Sequence, residues 1–322
     1  MATSEAPTVL SMGGFPFTPL EILEIGVLMI LALPFIVIGI AASCIVHLLQ
    51  YPLRDLGYTQ KLTPVRASRS EYAVVTGASK GLGRDVALKL ARDGWSLVIA
   101  ARNPDLLADL KRSIEDLYGR DCKVIPVACD LGSDDGRRTL ENVVKDLPIT
   151  LVVLNAGCAY TRDLVNVSEQ NMRDMLGINV EQQTYLSRYF LTQHFVPGGR
   201  GRLCIVSSIV AYSLGSANSL YFSAKSYLSQ FGRSLAHECR SLGCGVLTIQ
   251  PGAMADTNFS SAGDCEDSAI FKLPGAQMSS VDVAEELVRR LQADGTKPGL
   301  ILAERARLER TLPVDRSLIR VT

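Results

Sequence analysis

Tyr72-Ala-Val-Val-Thr76-Gly77-Ala78-Ser79-Lys80-Gly81-Leu82-Gly83 is the stretch on which the fold turns. An apolar run of one strand's length ends at Thr76, and a loop with three glycines follows at once. From Leu82 the period changes. Leu82, Val86 and Leu90 recur every fourth residue, which places them on one face of a helix. Glycines permit a tight turn and let an anion come close to the backbone. The helix behind them presents free N–H groups and its positive dipole end to the same point.

The unit then repeats along the chain. Ser96–Ala101 reads as a second strand and Pro104–Tyr118 as a helix. Lys123–Cys129, Leu151–Leu154, Arg202–Ser207 and Gly245–Gln250 are further strands. Helices are expected at Asp134–Lys145, Met172–His194, Ala217–Gly243 and Val281–Ala293, with a last strand at Gly299–Ala303. The strands are apolar runs rather than alternations, as a sheet buried on both faces requires. Repeated βα units predict an α/β fold, a parallel sheet with helices on both sides.

Composition narrows the function classes. Of 322 residues 47% are hydrophobic and 20% charged, which excludes a disordered chain. Lys+Arg and Asp+Glu both number 33, so there is no basic surplus to neutralise nucleic-acid phosphates. The eight cysteines show no metal-ligand spacing, and they read as buried free thiols.

Residues 25–46, IGVLMILALPFIVIGIAASCIV, carry no charge. As a helix this run is about 33 Å long, enough to cross a hydrocarbon core of about 30 Å. A single-span anchor is therefore expected over 25–49, after an N-terminal segment 1–24 and before a polar linker 50–70. The charged residues before the run are Glu5, Glu21 and Glu24. After it come Arg54, Lys61, Arg66 and Arg69 against Asp55. The positive-inside rule then places the body of the chain in the cytosol. The sequons at Asn166 and Asn258 are read as chance triplets.

Two constellations carry chemistry. The second strand ends Ala100-Ala101-Arg102 without the acid that usually bonds a ribose 2′-hydroxyl, and Lys80 adds a cation in the glycine loop. Two cations and no carboxylate suit a 2′-phosphate, hence NADPH/NADP+ rather than NADH. In Tyr221-Phe-Ser-Ala-Lys225 the spacing of four puts both side chains on one helix face. An unperturbed tyrosine has a pKa of about 10, and a neighbouring ammonium lowers it. Ser208 ends the fifth strand, where its hydroxyl can meet a substrate carbonyl.

These motifs, with Asp130-Leu131, Asn155-Ala156-Gly157, Asn179, Ser207-Ser208 and Pro251-Gly252, resemble in order and spacing the short-chain dehydrogenase/reductase family, from about Tyr72 to Ala303. The resemblance implies a single Rossmann-type doubly wound domain over 71–305, with a tail at 306–322. It implies Tyr221 as general acid, Lys225 as its tuner, Ser208 as carbonyl orienter and Asn179 as holder of a relay water. Cofactor contacts would come from Gly77, Ser79, Lys80, Gly81, Leu82, Gly83, Arg102, Asp130, Leu131, Asn155, Ala156, Gly157, Tyr221, Lys225, Pro251 and Gly252. Thr257 stands loosely where the family places a threonine. Leu154 replaces a frequent second asparagine, a change a buried strand end accepts. The span, linker and reductase body resemble microsomal lipid reductases of the family, which implies the endoplasmic reticulum and a lipophilic ketone. The nearest types are very-long-chain 3-oxoacyl-CoA reductases, then 3-ketosphinganine and steroid or retinoid enzymes. Residues 253–280 read as a lid with apolar side chains. The two long helices resemble those of a family homodimer. A non-catalytic NADP(H)-binding sensor or scaffold is the alternative of a different class, weakened by the complete set Asn179, Ser208, Tyr221 and Lys225.

Overall fold

The computed structural model describes residues 10–12, 15–17, 27–28, 31–35, 38–39, 65, 67–213, 218–254 and 278–293. The chain divides into two compact units, Met1–Tyr58 and Thr59–Thr322. In the first, strands Leu10–Met12 and Phe15–Phe17 pair antiparallel. Residues 27–28, 31–35 and 38–39 are helical, with Leu31, Phe35 and Ile38 exposed. No helix among the described residues is long and apolar enough to cross a membrane. Most of the expected anchor and lid, much of the linker, the last strand and the tail lie outside the described residues.

The second unit holds six parallel strands: β1 (Tyr72–Thr76), β2 (Ser96–Ala101), β3 (Val124–Ala128), β4 (Ile149–Leu154), β5 (Gly201–Val206) and β6 (Cys244–Ile249). They lie in the order β3-β2-β1-β4-β5-β6. Period-two alternation sends successive side chains to opposite faces. Ala73, Val75, Leu97 and Ile99 join one core, and Val74, Val98, Ala100 and Val152 the other. The first core is closed by helices α1 (Gly81–Arg92), α2 (Pro104–Tyr118) and α7 (Ser280–Gln292). The second is closed by α3 (Asp134–Val144), α5 (Gln182–Phe190), which continues α4 (Glu169–Leu176), and α6 (Ser219–Glu238); α4 itself adds no residue to it. β3 is one of the two edge strands and carries Pro126, whose missing N–H an edge tolerates. Leu154 is fully buried.

The strand and helix bounds depart from expectation by one to three residues at most ends. The exception is the helix expected over Met172–His194. It starts earlier, at Glu169, where the Ser168 hydroxyl accepts from the Asn171 N–H and caps it. It is then interrupted by two π turns, Gly177–Glu181 and Leu191–Phe195. Such a turn is a one-turn bulge inside a continuing helix, so no cap or stop separates the two parts in the sequence. The last long helix also ends short. It tightens into a 3₁₀ turn at Cys239–Leu242 and stops at Gly243, which is left-handed at φ 72°.

Helix α6 packs on β6 through Gly232, where an added β-carbon would lie 2.0 Å from the Thr248 hydroxyl. Thr248 is buried and β-branched, so it has little freedom to yield. Gly232→Val is expected to lower the unfolding free energy by about 2 kcal/mol, the usual cost of overpacking. Urea denaturation measures it, and an unchanged midpoint would contradict this contact.

Candidate active site

Chain order reverses between β1 and β4, and the carboxyl ends of the strands beside such a point open into a crevice. A cavity of about 590 Å³ lies there. Its walls include the expected residues Gly77, Ser79, Lys80, Gly81, Leu82, Arg102, Leu131, Asn155, Ala156, Gly157, Ser208, Tyr221, Lys225, Pro251 and Gly252.

The glycine loop is shaped for close approach. Gly77 has φ 64°, and a β-carbon there would meet the Ala156 Cα at 2.9 Å. A β-carbon on Gly83 would meet the Gly77 carbonyl oxygen at 2.2 Å, so α1 can pack on the loop only with glycine there. No side chain caps α1 at Lys80, which leaves its first N–H groups for an anion. The charged side chains among the lining residues are Lys80, Arg102 and Lys225, all cationic. Asn103, beside Arg102, is committed to capping α2 by accepting from the Leu106 N–H at 3.0 Å. A polyanion with one phosphate near Arg102 fits this donor set.

Tyr221 and Lys225 lie in the first turns of α6. The Lys225 ammonium sits 5.6 Å from the centre of the Tyr221 ring and donates to the Val206 carbonyl at 3.0 Å. Burial lowers the Lys225 pKa to about 8, opposed by the neighbouring Cys158. Burial pushes Cys158 itself up to about 11, so its thiol stays neutral near pH 7. The Ser208 hydroxyl is held only loosely, 3.5 Å from the Pro251 carbonyl and 3.4 Å from the Val210 N–H. A loosely held hydroxyl can turn toward a ligand.

Three expected residues stand apart from the cavity wall. Gly83 lies inside α1. Asp130 folds its carboxylate back to accept from the Gly132 N–H at 3.0 Å and shapes the turn into α3. Asn179, fully buried in the first π turn, donates to the Cys158 and Met175 carbonyls at 2.7 and 3.0 Å. Its Oδ1 is buried without a donor among the described residues, an acceptor suited to a water. Thr257 lies outside the described residues.

Two positioning groups were not anticipated. The Thr76 hydroxyl accepts from the Asn155 and Ala156 N–H groups at 2.9 and 3.1 Å and donates to the Val153 carbonyl. Gln183 donates to the Ala156 carbonyl at 2.6 Å. Neither had a sequence signal, since their partners lie 79 and 27 residues away in the chain.

Comparison with known proteins agrees with this geometry. Residues 71–265 match the family described as short chain dehydrogenase. The chain is 30% identical over 194 residues to an uncharacterized oxidoreductase of Bacillus subtilis, covering 59% of this chain and 76% of that one. It is 30% identical over 176 residues to a very-long-chain 3-oxoacyl-CoA reductase of Mycosarcoma maydis, covering 54% of this chain and half (50%) of that reductase. Among solved structures, a short-chain dehydrogenase from Sphingobium yanoikuyae in complex with NADPH superposes with a TM-score of 0.66 at 22% identity, over 75% of this chain and 91% of that one. A family match that begins just before β1, runs past β6 and takes in more than half of the sequence leaves one assignment: this chain belongs to the short chain dehydrogenase family.

Proposed function

We propose that the protein is a membrane-anchored, NADPH-dependent reductase that converts a ketone on a lipophilic substrate to a hydroxyl, with a long-chain 3-oxoacyl-CoA as the first choice of substrate. The observation that carries the reading is one wall holding Ser208, Tyr221 and Lys225 in a cavity whose charged lining residues are all cations. The superposed Sphingobium enzyme, which binds NADPH, supports the cofactor, and the Mycosarcoma reductase supports the substrate class. Ile209, Val210, Phe222 and Met254 line the same cavity as Ser208 and give it an apolar surface, which suits a lipophilic ketone. The uncharged run at 25–46 supports an anchor, and the resemblance of the layout supports the endoplasmic reticulum.

In this reading Lys80 and Arg102 hold the 2′-phosphate, and the α1 N-terminus faces the pyrophosphate. When bound, NADPH supplies the hydride that reaches the carbonyl carbon. Ser208 donates a hydrogen bond to the carbonyl oxygen and fixes its position. Tyr221 gives that oxygen its proton, and the Lys225 ammonium stabilises the phenolate left behind. Asn179 Oδ1 holds the water that returns a proton to the site. Lys225 is depressed to about 8, so below that pH it is charged and supports the transfer. As pH rises through that value the charge is lost, and the support with it.

The test is NADPH oxidation by detergent-solubilised protein with a long-chain 3-oxoacyl-CoA, 3-ketosphinganine and a ketosteroid in parallel. Turnover of the first is expected, and Tyr221→Phe is expected to cut it about a thousandfold while NADPH binding survives. Equal turnover by the variant would remove Tyr221 from its role. Arg102→Asp is expected to weaken NADPH binding about tenfold or more while changing NADH binding little. Equal losses in a fluorescence titration would contradict a 2′-phosphate contact. Deleting residues 1–50 is expected to move the protein from the membrane pellet to the supernatant, and continued sedimentation would contradict the anchor.

A further inference from the structure

Behind the apolar surface of the cavity runs a buried chain of hydroxyl and amide groups that the reduction does not itself use. It begins with the segment after Ser208. Ile209–Tyr212 is one 3₁₀ turn, and Ile209, Val210 and Ser213 face the cavity. Three bonds hold this wall from behind. The Ile209 N–H donates to the Pro251 carbonyl at 3.0 Å. The Ser226 hydroxyl, on α6, donates to the Ala211 carbonyl at 2.7 Å. The Gln250 Nε2 donates to the Tyr212 hydroxyl at 2.7 Å.

Gln250 is buried at 3% exposure and directly precedes Pro251. Its Nε2 carries two protons, and the second goes to the Ser229 hydroxyl at 3.0 Å. The Ser229 and Ser207 hydroxyls lie 2.7 Å apart, and Ser207 donates to the Lys225 main-chain carbonyl at 2.6 Å. A hydroxyl has one proton. That of Ser207 goes to Lys225, so that of Ser229 goes to Ser207. The chain therefore runs one way, from Gln250 through Ser229 and Ser207 to the backbone of α6 at Lys225. Its other arm ends on Tyr212. Gln250 thus links the helix that carries Tyr221 and Lys225 to the wall beside Ser208, alongside the direct Ser226–Ala211 bond.

This tie has a cost. The Gln250 Oε1 is buried with no donor among the described residues, which an apolar side chain in the same place would avoid. Tyr212 is half exposed, and besides the Gln250 bond it has the Arg233 guanidinium over its ring, 5.9 Å from the centre.

We propose that Gln250 is a positioning residue for the substrate: together with the Ser226–Ala211 bond it fixes the 209–213 wall against α6 at Tyr221 and Lys225, and so how well a ketone seats against Ser208. The inference rests on the reading of the site as a ketone reductase. Its test uses the full-length protein in detergent, with Tyr212→Phe as the mild variant and Gln250→Leu as the stronger one. For whichever ketone the wild type reduces, each variant is expected to lower kcat/KM about tenfold, mainly through KM. The double variant should fall no further than the worse single one, because both remove the same bond. NADPH binding should stay within about twofold, since neither variant alters a cofactor contact: the glycine loop, Arg102, Lys225 and Pro251-Gly252 keep their side chains. Independently of turnover, hydrogen exchange at 209–213 should quicken in both variants, with β1 and β2 unchanged. Additive losses, a matching loss of NADPH affinity, or unchanged exchange at 209–213 would each overturn the proposal. If the wild type reduces none of the ketones, the ketone reading fails and the exchange measurement alone decides whether Gln250 holds the wall.

Discussion

The site depends on a clamp between the ends of two neighbouring strands. Thr76 closes β1, and its hydroxyl takes two N–H groups from the end of β4 while giving its proton to the Val153 carbonyl. Asn155 answers with its side-chain amide, donating to the Thr76 and Gly77 carbonyls at 3.1 and 3.3 Å. Both strands end here with their backbone groups satisfied, although the sheet ladder has run out. The clamp fixes the floor of the crevice, and the close approach of Gly77 to Ala156 follows from it. On that floor the glycine loop can turn and α1 can aim its free N–H groups into the cavity.

A second constraint is the burial of a cation. Lys225 donates to the Val206 carbonyl at 3.0 Å, in a site whose burial lowers its pKa to about 8. A lysine depressed in the folded state binds protons more readily when unfolded. Below the folded pKa its charge costs stability in full, and the cost fades as pH rises toward the unfolded value of 10.5. The fold accepts this destabilisation near pH 7 because the charge beside Tyr221 is what the proposed proton transfer requires. Such local costs are typical of functional sites.

Helix regularity is also given up near the site. The π turn at Gly177–Glu181 brings Asn179 and Gln183 to the loop at 156–158, where their side-chain amides donate to the Cys158 and Ala156 carbonyls. Both amide oxygens are left buried without donors among the described residues. The loop that lines the middle of the cavity is thus held by two side chains of one interrupted helix. The turn opens at Gly177, where a β-carbon would lie 2.7 Å from the Gly132 carbonyl oxygen, so close backbone packing accompanies these bonds.

By itself the sequence determined the alternation of strands and helices, the glycine loop after β1, the pairing of Tyr221 with Lys225 on one helix face, and the cationic end of β2. Each of these is a local matter of period, spacing or residue type, and short-range physics settles them. Tertiary structure alone decided that Asp130 turns back on its own backbone, that Asn179 sits in a π turn behind the wall, and that Thr76, Gln183 and Gln250 brace the site. Asp130 turns on a bond only two residues away, but the bracing groups depend on partners far along the chain, at separations of 38 residues for Tyr212 and Gln250 and 79 for Thr76 and Asn155. A hydrogen bond leaves no periodic trace in sequence, and its donor and acceptor become neighbours only when the sheet forms.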